Sequence, residues 1–293
     1  MDTLLWTQIS NMGPAARFQQ AMSYDADRDR VVMFSGRIPI RDQNGTPSEM
    51  HGTDTWEFDG TTWAQAADTG PPGRSEFTMC YDARRHRTVL YGGAGTTGKL
   101  SDTWEWDGAL WTQMADTGPP PFGGPLAYDA ADGYVLLFCD VTSNAPHGST
   151  WSWNGTEWTQ LDDIGAGTGF GALAYDGASK RVLMITDAGS APSSATFAWM
   201  GSSWKQIGEM GPQTNSAGCS MAFDGKETLL VIAASQTWSW NGSVWVQRQD
   251  MGPSPRLGFS IAGDTKRNRC VLFGGQEVLN QNPETWVLRR VPA

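Results

Sequence analysis

DTWEFDGTTW, residues 54–63, returns forty-eight residues later as DTWEWDGALW, residues 102–111. A phrase this rich in tryptophan either binds something or builds something. The pattern around it decides. The threonine–aromatic pair recurs at Thr55-Trp56, Thr103-Trp104, Thr150-Trp151, Thr196-Phe197, Thr237-Trp238 and Thr285-Trp286. Two positions on stand Phe58, Trp106, Trp153, Trp199, Trp240 and Leu288. A further tryptophan follows at Trp63, Trp111, Trp158, Trp204 and Trp245, and the copy missing at the C-terminus stands near the N-terminus as Trp6. These three positions account for all 15 tryptophans of the chain, leaving none outside the repeat for an aromatic binding platform. The tryptophans are therefore read as packing groups, each able to bury about 150–250 Å².

Other marks keep the same period of 41 to 57 residues. Gly-Pro turns occur at Gly13, Gly70, Gly118, Gly211 and Gly252, and three of them lead to an arginine, Arg17, Arg74 or Arg256. Tyr-Asp or Phe-Asp pairs follow at Tyr24, Tyr81, Tyr128, Tyr175 and Phe223. Next come the apolar runs VVMFSG (31–36), TVLYGG (88–93), VLLFCD (135–140), VLMITD (182–187), LLVIAA (229–234) and CVLFGG (270–275). Each unit reads as four short strands: one ending in the aromatic-Asp pair, a doubly buried apolar run, an alternating TW-x-W strand, and one starting at the last tryptophan. Asp59-Gly60, Asp107-Gly108, Asn154-Gly155 and Asn241-Gly242 predict two-residue type I′ hairpins between the last two strands. Internal repeats at this spacing predict an all-β, six-bladed propeller of four-stranded antiparallel blades, filling residues 1–293 as a single domain. The displaced Trp6 predicts closure: the N-terminal strand completes the C-terminal blade.

These features resemble the Kelch repeat, the family that also includes the propeller domain of galactose oxidase. The double glycine appears as Gly92-Gly93 and Gly274-Gly275, with Trp104 and Trp111 as the aromatic marks. The resemblance spans residues 6 to 289. It implies that ligands meet one mouth of the central channel, where first strands begin and second strands leave.

At that mouth the second glycine, present as Gly36, Gly93 and Gly275, gives way to Asp140, Asp187 and Ala234 in blades 3 to 5, and the same blades lose the arginine. Repeat rules fail most readily where function intervenes. Asp140 and Asp187 are therefore candidate acid/base groups, with left-handed backbone tolerance as the alternative reading. Glu76 stands alone among neutral counterparts, Gln19 being one, and is a third candidate. His51 and His147 lie on loops of the same face and complete the proton-transfer set. Arg37 is a candidate for stabilising negative charge. Phe18, Gln19, Phe77, Phe122, Phe170 and Phe259 are candidate pocket residues. Residues 37–53 form the longest loop leaving a second strand and could close over the mouth.

Two functions follow from these residues. One is small-molecule binding at the mouth, with cofactor-free acid/base catalysis of the isomerase, cyclase or lyase kind. The other is a non-catalytic scaffold that holds a partner peptide there. No HExxH, EF-hand, GxSxG or P-loop motif occurs, and no histidine–tyrosine–cysteine set suited to copper or ExxxDxxxH motif suited to iron, so no cofactor or metal is expected. The net charge of −10 argues against nucleic acid and anionic membrane as partners. No apolar run of about 18 residues exists to form a membrane helix. The start MDTLLWTQIS lacks the basic segment of a secretory signal. Cys80, Cys139, Cys219 and Cys270 fall singly in strand-like runs, and are read as thiols of a reducing, cytoplasmic compartment in a monomeric protein.

Overall fold

The computed structural model describes residues 2–10, 12–121, 124–139, 148–162, 171–187, 194–214, 218–249, 252–277 and 283–292. Strand β1 (Thr3–Ser10) opens the chain. Blade 1 holds β2 (Ala21–Asp25), β3 (Arg30–Phe34), β6 (Thr55–Phe58) and β7 (Trp63–Ala67), with the hairpin β4 (Arg37–Arg41) and β5 (Pro47–His51) inserted after its second strand. Blade 2 holds β8 (Thr78–Asp82), β9 (Arg87–Gly95), β10 (Gly98–Trp106) and β11 (Trp111–Ala115). Blade 3 holds β12 (Leu126–Asp129), β13 (Tyr134–Cys139), β14 (Ser149–Trp153) and β15 (Trp158–Asp162). Blade 4 holds β16 (Gly171–Asp176), β17 (Arg181–Asp187), β18 (Ser194–Trp199) and β19 (Trp204–Gly211). Blade 5 holds β20 (Cys219–Phe223), β21 (Thr228–Ile232), β22 (Gln236–Trp240) and β23 (Trp245–Gln249). Blade 6 joins β24 (Ser260–Asp264), β25 (Arg269–Phe273) and β26 (Thr285–Val291) to β1. The result is an all-β, six-bladed propeller. It closes as the displaced tryptophan predicts, with β1 antiparallel to β26 and Trp6 opposite Leu288.

The core is divided into six clusters, one between each pair of neighbouring blades. Alternation along a strand explains this. Val32 and Phe34 of β3 face blade 2, where they meet Phe77, Leu90, Trp106 and Trp111. Val31 and Met33 of the same strand face blade 6, where they meet Val271 and Phe273. A second strand thus has no solvent face, which is why its sequence is a continuous apolar run.

The tryptophans at the start of each fourth strand do more than fill space. Each indole N–H donates to the threonine of the preceding blade's TW pair: Trp63 to Thr285, Trp111 to Thr55, Trp158 to Thr103, Trp204 to Thr150, Trp245 to Thr196 and Trp6 to Thr237, at 2.8–2.9 Å. The threonines are buried, so every bond satisfies groups that water does not reach. The bonds run once around the ring.

The hairpins between third and fourth strands differ from expectation. Phe58 pairs directly with Trp63, so the connection is the four-residue loop 59–62 and not a two-residue type I′ turn. Asp59 caps it, its Oδ1 accepting from the N–H groups of Thr61 and Thr62 at 2.8 Å. Asn154 and Asn241 do the same in their blades. The Asx side chain supplies acceptors that a tight turn would draw from backbone, and only the glycine needs positive φ, 100° at Gly60.

Candidate functional site

The first strands of all six blades ring a cavity of about 320 Å³ at the end where those strands begin. Its lining is layered by repeat position. The deepest layer is Met22, Met79, Leu126, Leu173, Met221 and Ile261. Small residues follow, among them Ala21, Thr78, Ala172 and Ser220. The outermost layer is uneven: Phe259, Gln20 and Phe77 stand on blades 6, 1 and 2, against Gly124 and Gly171 on blades 3 and 4. A Cβ on Gly124 would fall on the carbonyl oxygen of Phe138, and one on Gly171 on that of Ile185. Bulk is therefore kept to one side of the mouth.

Glu76 sits on the bulky side, and is the one charged residue among the described residues that line the cavity. Its backbone is left-handed, φ 56°, as is that of its counterpart Gln19, φ 55°, while Gly218 and Gly258 fill the same position in blades 5 and 6 with φ 76° and 64°. A non-glycine residue held there costs about 1–2 kcal/mol. The position is fixed across blades: Gln19 N–H donates to the Gly258 carbonyl at 2.7 Å, and Glu76 N–H to the Gln19 carbonyl at 3.3 Å. The Glu76 side chain is 41% exposed and accepts from Lys99 Nζ and Gln19 Nε2, both at 3.1 Å.

Two amide oxygens of blade 1 lack donors. Gln19 Nε2 faces the Glu76 carboxylate, and Gln20 Nε2 faces the Phe273 carbonyl at 2.8 Å. Both partners only accept, so each amide orientation is fixed. Gln19 Oε1 and Gln20 Oε1 are consequently buried acceptors with no partner.

Arg37 and His51 are brought together, but beside the cavity and not in it. They line a groove of about 710 Å³ between the β4–β5 hairpin and the β9–β10 hairpin. Arg37 bonds Ser75 Oγ and Glu49 Oε2, each at 3.2 Å. His51 Nε2 lies 3.3 Å from the same Ser75 Oγ, and its buried Nδ1 has no partner. Burial and the Arg37 charge lower the His51 pKa below its usual 6.5, against the opposing pull of Glu49 and Glu76. The Ser75–His51 contact has the outline of a nucleophile and base, but Ser75 is fully buried and offers no attacking oxygen to a substrate.

Phe77 and Phe259 line the cavity while packing into inter-blade clusters. Phe18 is buried, and its backbone bridges Arg37 beside the groove. Asp140, His147, Phe122 and Phe170 lie outside the described residues. Asp187 ends β17, its backbone paired with Ser194 in the strand ladder, one residue beyond the cavity-lining Thr186.

The buried arginines have a role that the sequence reading did not assign. Arg17 holds Asp54 through both guanidinium nitrogens at 2.7 and 2.8 Å, and Arg74 holds Asp102 at 2.6 and 2.9 Å. Arg256 reaches Glu284 at 3.1 Å. The acid is always the residue before the TW threonine, and it also accepts from the tryptophan indole. Where the arginine is absent, that residue is Ser149, Ala195 or Gln236. The signal was present in the sequence as two positions that change together. Loss of arginine in blades 3 to 5 is loss of a pair, and is not by itself a mark of a site.

Among the described residues no group of three histidine, cysteine, aspartate or glutamate side chains could hold a metal ion, and no helix is long and apolar enough to cross a membrane. Fold and cavity together define a six-bladed β-propeller with a single carboxylate among the described residues that line its channel mouth. No family model matches the chain, and none of the curated proteins matches it either.

Proposed function

We propose that this is a Kelch-type propeller that binds a small organic molecule at the channel mouth, with Glu76 as the group that accepts the ligand's proton or hydrogen bond. The Kelch reading rests on Gly92-Gly93, Gly274-Gly275 and the tryptophan positions. The observation that carries the functional reading is the setting of Glu76. A carboxylate occupies a strained backbone position that Gly218 and Gly258 fill in blades 5 and 6, at the rim of a cavity with an apolar deepest layer. Strain of this kind persists where the surroundings enforce it, and it clusters at ligand sites.

The cavity, at about 320 Å³, is at the lower end of the range for small-molecule pockets. Its methionine, leucine and phenylalanine walls suit an apolar body. Glu76 suits a donor group on that body. In this reading Asp140 and Asp187 are the further carboxylates, and proton transfer among the three acids gives the acid/base chemistry of an isomerase or lyase.

Ligand-observed NMR screening of small amphipathic molecules, repeated on Glu76→Gln, tests this. Hits whose binding weakens in the variant support the reading. An absence of hits, or hits indifferent to the substitution, would overturn it.

A further inference from the structure

On the face opposite the mouth a repeated arginine contact joins three of the blades to their neighbours. In blades 1, 2 and 6 the residue three after the aspartate that ends the first strand (Asp25, Asp82 or Asp264) is Arg28, Arg85 or Arg267. Each guanidinium folds back onto that aspartate: Arg28 to Asp25 and Arg85 to Asp82 at 2.7 Å, Arg267 to Asp264 at 3.1 Å. Each also covers the turn glycine of the next blade. A Cβ on Gly108, Gly155 or Gly60 would meet that guanidinium at 2.7–2.8 Å. In blades 1 and 2 a glutamate, Glu57 or Glu105, completes the contact by accepting from the arginine and from an indole of the next blade, Trp106 or Trp153.

Between blades 4 and 5 the same positions read Asp176, Ser179, Ala198, Trp240 and Gly242. The aspartate, indole and glycine remain, while the arginine and glutamate are gone. Nothing lies within 4 Å of where a Cβ on Gly242 would stand. A crevice of about 750 Å³ opens there, lined by Asp176, Ser179, Trp240 and Gly242. Asp176 is 3% exposed; it accepts from Thr228 Oγ1 and the Ser179 N–H, and has no cationic partner among the described residues. The Trp240 indole N–H, unlike those of Trp106 and Trp153, has no protein acceptor among the described residues. The cations that share the lining are committed elsewhere: Arg290 to Asp224, Arg248 to Glu227 and Lys226 to Asp2.

We propose that this crevice is a guanidinium site. The ligand's planar fork takes the place beside Asp176 and over Gly242 that the chain's own arginines take in three other blades. The site is independent of the channel mouth. A guanidinium is specified over an ammonium because the three filled interfaces use a flat group lying on the turn that gives one nitrogen to the aspartate and another to a second acceptor.

The Trp240 indole N–H resonance, assigned through Trp240→Phe, reports the crevice directly. Titrating the protein with n-butylguanidinium should shift that resonance saturably, and n-butylammonium should bind at least about fivefold more weakly. A blocked Gly-Arg-Gly peptide distinguishes sources: a shift with peptide and free guanidine assigns a partner's arginine, a shift with the free guanidine alone assigns a small molecule. Ser179→Arg should fill the crevice from within, abolish the shift and raise Tm, while Ser179→Ala should bind as the parent does. No saturable shift with either guanidine, equal binding of the ammonium, or an undiminished shift in Ser179→Arg would overturn the proposal.

Discussion

Trp63 Nε1 donates to Thr285 Oγ1 at 2.8 Å, joining the first blade to the last across 222 residues of sequence. Together with the Trp6–Thr237 bond it ties the ring on both sides of blade 6, the blade built from both chain ends. Thr285→Val keeps the shape and leaves a buried indole N–H unpaired, a loss of about 1–3 kcal/mol. Trp63→Phe removes the donor but also packing volume beside Phe273. In urea unfolding the double variant should be less destabilised than the sum of the two singles. Strict additivity would mean that the bond contributes nothing beyond packing.

Arg74 is fully buried and holds Asp102, the Gly92 carbonyl and the Pro72 carbonyl. Arg74→Ala strands a mostly buried carboxylate and should cost about 3–5 kcal/mol. Arg74→Lys should recover only part of this, since an ammonium cannot reproduce the fork. Burial alone would raise the Asp102 pKa, but the Arg74 and Trp104 hydrogen bonds outweigh it and hold it below 3.8. Its contribution is thus present above pH 3.8 and lost as pH falls through the depressed folded value. Urea midpoints from neutral to acid pH should therefore show Arg74→Ala losing the difference from wild type at the acid end.

Much of the architecture could be read from particular residues. Trp6 revealed the closure because it was the one fourth-strand tryptophan out of place. The doubly buried second strands were legible because Val31–Phe34 leave no polar face. The channel mouth was harder. The left-handed backbone at Glu76 could have been suspected from Gly218 and Gly258 at the same repeat position, since glycine there signals a demand for positive φ. Nothing in the sequence distinguishes Arg37 and His51 as groove residues from Glu76 as a cavity residue. That separation is set by how the β4–β5 hairpin stands off blade 1. The opening at Asp176 was visible only as an arginine that fails to recur.

The thiols should separate by reactivity. Cys80 and Cys270 are buried and their pKa values raised, and burial pushes the Cys139 thiol up to about 12. Cys219 is partly exposed and lines the channel cavity. Native alkylation by iodoacetamide near pH 8, read by peptide mass spectrometry, should modify Cys219 first, and the adduct should block ligands of the channel mouth. Faster labelling of any buried thiol would contradict the packing described.

His51 should titrate below 6.5 in an imidazole NMR titration, because burial and then Arg37 disfavour its charged form. Arg37→Gln should move the midpoint upward. With the folded value depressed, stability from this group is present above pH 6.5 and lost as pH falls through the folded pKa. The channel cavity does not contain His51, so ligand affinity at the mouth should change little across that titration.

The channel-mouth reading is tested most directly by a crystal structure of the protein with a screening hit bound. The ligand's apolar body should lie inside the ring of Met22, Met79, Leu126, Leu173, Met221 and Ile261, with a donor group within hydrogen-bond reach of the Glu76 carboxylate. A ligand seated instead in the groove of Arg37 and His51, or in the cavity with no contact to Glu76, would contradict it.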